Sequence, residues 1–210
     1  MRLRVTFSKT GPLVYTSHLD LARAWERALR RAGAPLAYSQ GFNPRPRLQL
    51  AAALPLGHSG EAEWLDLWLE QPLDAVALAD ALAPVLPAGL AVLDVQAVDA
   101  SEPALQTRTV AAEYLVAVAC DEPAAGVAQR VAEILAAGEL PASRRGKPYD
   151  LRPLIHHLAV QSSVEGEVVL EMRLAAQANA TGRPEAVLEA LGLGGCPARF
   201  HRQRLLLEEA

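Results

Sequence analysis

The chain has 210 residues and a formal net charge of −4, with 51% hydrophobic and 21% charged residues. Those proportions exclude a disordered or fibrous chain, and the length suits one large domain or two small ones. Charges or prolines interrupt every apolar run before the ~20 residues of a membrane span, and MRLRVTFSK lacks the apolar stretch of a signal peptide.

The average charge hides an asymmetry. Residues 1–60 hold nine basic residues (Arg2, Arg4, Lys9, Arg23, Arg27, Arg30, Arg31, Arg45 and Arg47) against Asp20 and Glu26, a net of +7. Residues 61–210 therefore carry −11. Such a division predicts an anionic partner for the basic part. The two cysteines, Cys120 and Cys196, form neither a metal-ligand spacing nor a disulfide framework, so a reduced, cytoplasmic protein without a cofactor is expected.

Residues 2–8 alternate polar and apolar and predict a strand with Leu3, Val5 and Phe7 on one face. Ser17 has the character of an N-cap, with Asp20 three residues on, and Leu21, Ala22, Trp25, Ala28, Leu29 and Ala32 follow at helical spacing until Gly33 and Pro35. Residues 47–54 and 63–70 predict two strands, 73–86 a helix and 90–98 another strand. Residues 101–109 suit a linker. The order then recurs: a strand at 112–119, a helix near 123–137, and a loop through ELPASRRGKPYDLRP. Strands near 154–161 and 166–174 follow, joined at Glu165-Gly166, then a helix from Pro184 and a last strand over 198–206. Each half reads β-α-β-β-α-β, so the expected fold is α+β: two tandem ferredoxin-like units with antiparallel sheets, at 1–100 and 110–210.

Several segments carry chemistry. Arg23, Arg27 and Arg30 fall at i, i+4 and i+7, a cationic stripe opposite Trp25 and Leu29, with Arg31 beside it. His18 opens the helix, where the positive end of the macrodipole disfavours imidazolium and leaves a neutral base. Tyr38-Ser39-Gln40-Gly41-Phe42-Asn43-Pro44-Arg45-Pro46-Arg47 reads as an irregular loop, with an aromatic suited to base stacking and arginines suited to phosphate. In Leu54-Pro55-Leu56-Gly57-His58-Ser59-Gly60 the glycines allow main-chain N–H groups to turn toward an anion, with Ser59 adding a hydroxyl. A second basic island joins Arg144, Arg145, Lys147 and Arg152 around Tyr149. Lys9, Arg23, Arg27, Arg30, Arg31, Phe42, Asn43, Arg45, Arg47, Ser59, Arg144, Arg145, Lys147 and Arg152 form the expected RNA-contacting set, with His18 the one catalytic candidate.

Four stretches of the first half resemble an uncharacterised bacterial family. They are Arg4-Val5-Thr6-Phe7-Ser8-Lys9, Tyr15-Thr16-Ser17-His18-Leu19-Asp20, Ala28-Leu29-Arg30-Arg31-Ala32 and Tyr38-Ser39-Gln40-Gly41-Phe42-Asn43-Pro44. Leu54-Pro55-Leu56-Gly57, Glu63-Trp64-Leu65-Asp66 and Asp150-Leu151-Arg152-Pro153 extend the likeness. That family comprises radical-SAM-linked proteins, stand-alone or fused behind a cobalamin-binding radical SAM module. The resemblance implies a radical SAM partner and brings no catalytic residue set. Two distant cysteines cannot hold a [4Fe–4S] cluster alone, so radical chemistry would belong to the partner.

The expected function is an RNA-binding accessory module that presents tRNA or rRNA to a radical SAM modification enzyme in trans. Two alternatives stand beside it. One is a metal-independent endoribonuclease with His18 as general base, by fold analogy to the enzymes that process CRISPR repeat RNA. The other is a small-molecule or protein-binding module.

Overall fold

Polar and apolar residues alternate along strand β1 (Arg2–Lys9), and its Leu3, Val5 and Phe7 are all fully buried. Strand geometry puts those three on one face of the sheet and Arg2 and Arg4 on the other. In this computed structural model the described residues are 1–164, 166–177 and 179–208, and the chain divides into two compact units, Met1–Thr109 and Val110–Ala210.

The inner face of β1 is covered by helix α1 (His18–Arg31), which turns Leu21, Trp25, Ala28 and Leu29 inward. Its start is fixed by Ser17, whose hydroxyl accepts the main-chain N–H of Asp20 at 3.1 Å. Trp25 meets Phe7 edge-on with ring centroids 5.0 Å apart. Strands β2 (Leu48–Leu50) and β3 (His58–Trp68), helix α2 (Ala75–Leu82), strand β4 (Leu90–Val98) and the single turn α3 (Leu105–Arg108) complete the first unit. β1 pairs antiparallel with β3 and β4, and β2 pairs antiparallel with β3, so the strand order is β4-β1-β3-β2.

Two boundaries differ from the sequence pattern. The strand expected over 47–54 is reduced to β2, because the chain bends away just after the N–H of Ala51 bonds Trp64. β3 begins at His58 rather than 63, since the turn before it closes at Gly57, which takes φ 84° and donates its N–H to Val14 at 2.7 Å. The expected linker is also more ordered than its polarity suggests. Leu105 is fully buried in the first unit, and the Gln106 side chain donates to the Leu50 carbonyl at 3.0 Å.

The outer face of β1 holds a buried ion cluster. Asp66 on β3 has no solvent exposure and accepts from Arg2 Nε at 3.0 Å and from Arg4 Nε at 2.9 Å. Glu102 extends the cluster, lying 3.5 Å from Arg4 and 3.0 Å from Arg108. Arg2 also donates to the carbonyls of Glu102 and Pro103, so the segment before α3 is tied across this face.

The second unit consists of β5 (Thr109–Ala119), α4 (Ala124–Ala136), β6 (Pro141–Arg144), β7 (Lys147–Asp150), β8 (Ile155–Val164), β9 (Glu167–Gln177), β10 (Ala180–Thr181), α5 (Pro184–Ala190) and β11 (Ala198–Leu207). β9 pairs antiparallel with β5, β8 and the short β10, while β11 neighbours β5. Val116, Val118, Leu170, Met172 and Leu174 of its strands are buried, as are Val127 of α4 and Val187 of α5. The stretch expected as a loop after α4 instead makes the β6–β7 hairpin. Its two-residue turn, Arg145-Gly146, has φ 52° and 76°, the left-handed pair that closes a tight hairpin. Glu165, read with Gly166 as the turn between β8 and β9, lies outside the described residues.

Both units are thus mixed α and β with antiparallel pairing in their sheets. Two measurements test the electrostatics. Asp66→Ala would leave two buried guanidinium groups without their carboxylate, and urea unfolding should show a loss of about 3–5 kcal/mol. Glu113 titrates below the usual glutamate range because Arg204 donates to its carboxylate, reinforced by Arg173. Its folded pKa is depressed, so its contribution is full above the ordinary glutamate value and is lost as pH falls through the lowered one. Glu113→Gln should therefore lower Tm at neutral pH and flatten the acid limb of a plot of Tm against pH, the two curves converging once the wild-type carboxylate is protonated.

Candidate nucleic-acid interface

The first sixty residues do not present all their cations to solvent. Arg2 and Arg4 are internal and bound to Asp66. Lys9, expected on the contact surface, is fully buried: as an odd-numbered residue of β1 it shares the inner face with Leu3, Val5 and Phe7. Its ammonium lies 3.3 Å from the Thr16 carbonyl and 3.5 Å from that of Val14, which makes it a structural cation. Six arginines remain outside: Arg23, Arg27, Arg30 and Arg31 on α1, and Arg45 and Arg47 on the segment before β2.

The α1 group follows the helical spacing. Arg23, Arg27 and Arg30 are exposed opposite the buried Trp25 and Leu29, and Arg31 is exposed at the C-terminal end. Arg23 pairs with Asp20 at 3.2 Å. The Asp20 carboxyl is held below its usual range chiefly by the Ser17 hydroxyl, with Arg23 and Arg27 adding attraction. That carboxylate tempers the stripe only at its first turn.

Residues 38–46 form a projecting arm rather than a loose loop. Its base is pinned by main-chain bonds: Ala37 N–H to Trp68, Trp68 N–H to Arg47, and Arg47 N–H to Ala37, at 2.8–3.1 Å. Further out, Tyr38 bridges Pro46, Ser39 N–H donates to the Arg45 carbonyl at 2.8 Å, and Arg45 N–H donates to the Ser39 hydroxyl at 3.0 Å. Beyond these bonds the tip, Gln40 to Pro44, is exposed. Phe42 there is wholly exposed, with 105% relative accessibility, and Asn43 and Arg45 are exposed beside it. At the base, the Arg47 guanidinium sits 4.8 Å from the Trp68 ring centroid and that of Arg2 sits 5.2 Å from it.

His18, at the first position of α1, is half-buried and lines a cleft of about 370 Å³ with Arg47, Gln49, Trp68, Gln106 and several aliphatic side chains. This cleft brings the helix start and the arm base together. The Gly57–Ser59 segment is arranged differently from expectation. Ser59 belongs to β3, and the Gly57 N–H is engaged by Val14, so no anion-binding turn forms from these groups.

In the second unit Arg144, Arg145 and Lys147 are exposed around the β6–β7 turn. Arg152 is set apart from them. Its guanidinium donates to the Leu135 carbonyl at the end of α4, at 2.9 Å, and to that of Ile155 at 3.1 Å. It ties a helix end to a strand start and is not part of the exposed island. Trp68, Gln49 and Gln106 escaped the sequence reading. The two tryptophans of EWLDLWLE alternate with core leucines, which marks them as outer-face residues; nothing in the sequence marks the two glutamines.

Among the described residues, no helix is long and apolar enough to cross a membrane. Residues 2–184 match the model of the family described as an uncharacterized protein conserved in bacteria (DUF2344), and the chain belongs to that family. No curated protein matches it in sequence. In fold it is similar to a chain of a Cbf5-Nop10-Gar1 complex, with a TM-score of 0.56, 12% identity, and coverage of 97% of this chain and 48% of that one. It is similar also to a chain of an H/ACA RNP bound to a substrate RNA containing 2'-deoxyuridine (TM-score 0.52, 12% identity, 97% and 47%). A chain of an archaeal box H/ACA sRNP Nop10-Cbf5 complex gives a TM-score of 0.51 at 12% identity, with 97% and 47% covered. The chain spans about half the length of these structures' chains. Identity this low speaks to the fold alone.

The accessibilities of the two aromatics predict opposite behaviour on truncation. Phe42→Ala should move the urea midpoint by no more than about 0.5 kcal/mol equivalent, as for other free surface positions. Trp25→Ala should cost about 3–5 kcal/mol through the cavity it leaves.

Proposed function

We propose that this protein is an RNA-binding accessory module that presents structured RNA, of the tRNA or rRNA class, to a radical SAM enzyme acting in trans. The observation that carries the reading is the arm: a pinned projection with a wholly exposed Phe42 at its tip and Arg45 and Arg47 along it. A wholly exposed aromatic beyond a hydrogen-bonded neck is suited to stacking on an unpaired base. The α1 stripe then supplies phosphate contacts, and Arg144, Arg145 and Lys147 supply a further set. Lys9, Ser59 and Arg152 have no part in it.

The fold similarity lends support of a general kind, because two of the similar chains come from an H/ACA RNP bound to a substrate RNA and from an archaeal box H/ACA sRNP complex. We read each unit as a split βαβ, ferredoxin-like repeat, on the strand orders β4-β1-β3-β2 and β11-β5-β9-β8. A cytoplasmic location goes with this function. The radical SAM partner rests on the family resemblance and on the two separate cysteines, too few for a [4Fe–4S] cluster within this chain.

A second reading has one observation in its favour: His18 and Arg47 line one cleft, a base and a cation that metal-independent cleavage of RNA would use. Cleavage of bound RNA in the presence of a chelator, abolished by His18→Ala, would establish it; binding without cleavage would dismiss it.

The main reading is tested with unfractionated bacterial tRNA in a filter-binding titration across salt concentrations. Log Kd should rise linearly with log salt, by about 0.7–0.9 per phosphate contact, and Arg27→Ala or Arg45→Ala should each reduce the slope by about 1. Phe42→Ala should weaken binding by about 1–3 kcal/mol while leaving the slope unchanged. Absence of salt-dependent binding to tRNA and rRNA fragments overturns the proposal.

A further inference from the structure

The cleft beside the arm carries, besides Arg47, a lining unlike the rest of the basic surface. Two carboxamides stand on its polar side with His18 and Arg47. Gln106 Nε2 donates to the Leu50 carbonyl at 3.0 Å, and Gln49 Nε2 donates to Gln106 Oε1 at 2.9 Å. This short relay fixes which way both amides face. Each amide nitrogen carries two hydrogens, and an amide oxygen has two lone pairs. The relay therefore leaves Gln49 with its oxygen and one N–H available, and among the described residues neither glutamine has another partner. An adjacent acceptor and donor, held in one plane, is the pattern that matches the edge of a nucleobase. A phosphate could accept from the N–H but would leave the amide oxygen without a donor.

The remaining walls fit the same ligand. Leu50 and Ala22 provide an apolar surface for a flat ring, and Arg47 stands at the boundary between cleft and arm. The volume of about 370 Å³ lies at the lower end of the range for small-ligand sites, suited to one nucleotide rather than a larger ligand. Arg47 is steadied by the Trp68 ring, so its guanidinium is positioned before any ligand arrives.

We propose that this cleft receives one unpaired nucleotide of the bound RNA. Its base edge hydrogen-bonds to the Gln49 carboxamide, which Gln106 orients, and its phosphate meets Arg47. The proposal rests on the RNA-binding reading and sharpens it: the arm and helix stripe supply affinity without regard to sequence, and the cleft supplies base selection. That division follows the general behaviour of RNA recognition, where sequence is read on splayed-out bases of loops and bulges.

The test uses the full chain and a stem–loop RNA with a randomised loop, followed by sequencing of the bound fraction. Wild type should enrich one base at one loop position by about tenfold or more. Gln49→Ala should erase that preference and leave the salt dependence of total binding intact, because the residue is uncharged. As a check independent of any variant, the wild-type protein should bind the selected loop at least about tenfold more weakly when the enriched position is made abasic. Salt-dependent binding with no positional preference, with a preference that persists in Gln49→Ala, or with no loss at the abasic position overturns the cleft proposal and leaves RNA binding standing. No salt-dependent binding to any of the RNAs overturns the RNA-binding reading and this proposal with it.

Discussion

The Asp66 carboxylate decides how much of the basic charge in this chain is available to a partner. It sits fully buried on β3 between two arginines of β1, and removing two charged side chains from water is tolerable only with such pairing. The consequence reaches beyond stability. Arg2, bound by Asp66, also holds the carbonyls of Glu102 and Pro103, and thereby fastens the segment before α3 across the outer face of the first unit. That fastening delivers Gln106 to the Leu50 carbonyl at the edge strand β2. A cleft wall in the first unit thus depends on an ion pair in its sheet.

The net of +7 in the first sixty residues is not all presented outward. Arg2, Arg4 and Lys9 are internal, so the outward charge comes from six arginines on α1 and on the segment carrying the arm. The remaining cations are concentrated on two elements rather than spread along the chain. A diffuse positive surface attracts any anion; six guanidinium groups on a helix and beside an exposed aromatic make a more demanding surface.

How far the sequence carries depends on the range of the interaction involved. The inner face of β1, the cap at Ser17 and the buried stripe of α1 follow from spacing alone, because strand and helix geometry act over a few residues. The parity of β1 already places Lys9 with Leu3, Val5 and Phe7, so its burial was legible where simple charge counting obscured it. The β6–β7 hairpin was hidden by its turn, since Arg145 adopts a left-handed conformation that non-glycine residues seldom take. Contacts between residues distant in sequence left no local trace. Gln49 and Gln106 meet across 57 positions, and Arg152 reaches back 17 to the end of α4. No periodicity announces either pairing.

The arm shows why local composition and tertiary anchoring must be read together. Its glycine, prolines and asparagine predict irregular backbone, and a chain of that kind left to itself would sample many conformations. Here main-chain bonds from Ala37, Arg47 and Trp68 clamp both ends to β3, and the Ser39–Arg45 pair narrows the neck. Phe42 is therefore presented with much of its ordering entropy already lost during folding, so stacking on a base need not order the whole arm anew. The same clamp passes through Arg47, which belongs at once to the arm base and to the cleft. On the proposed reading, an RNA stacked at the tip of the arm would have its adjoining backbone led past Arg47 toward the two amides of the cleft. The proposed division of labour follows from that placement: charge would recruit the strand, and the cleft would select which part of it is read.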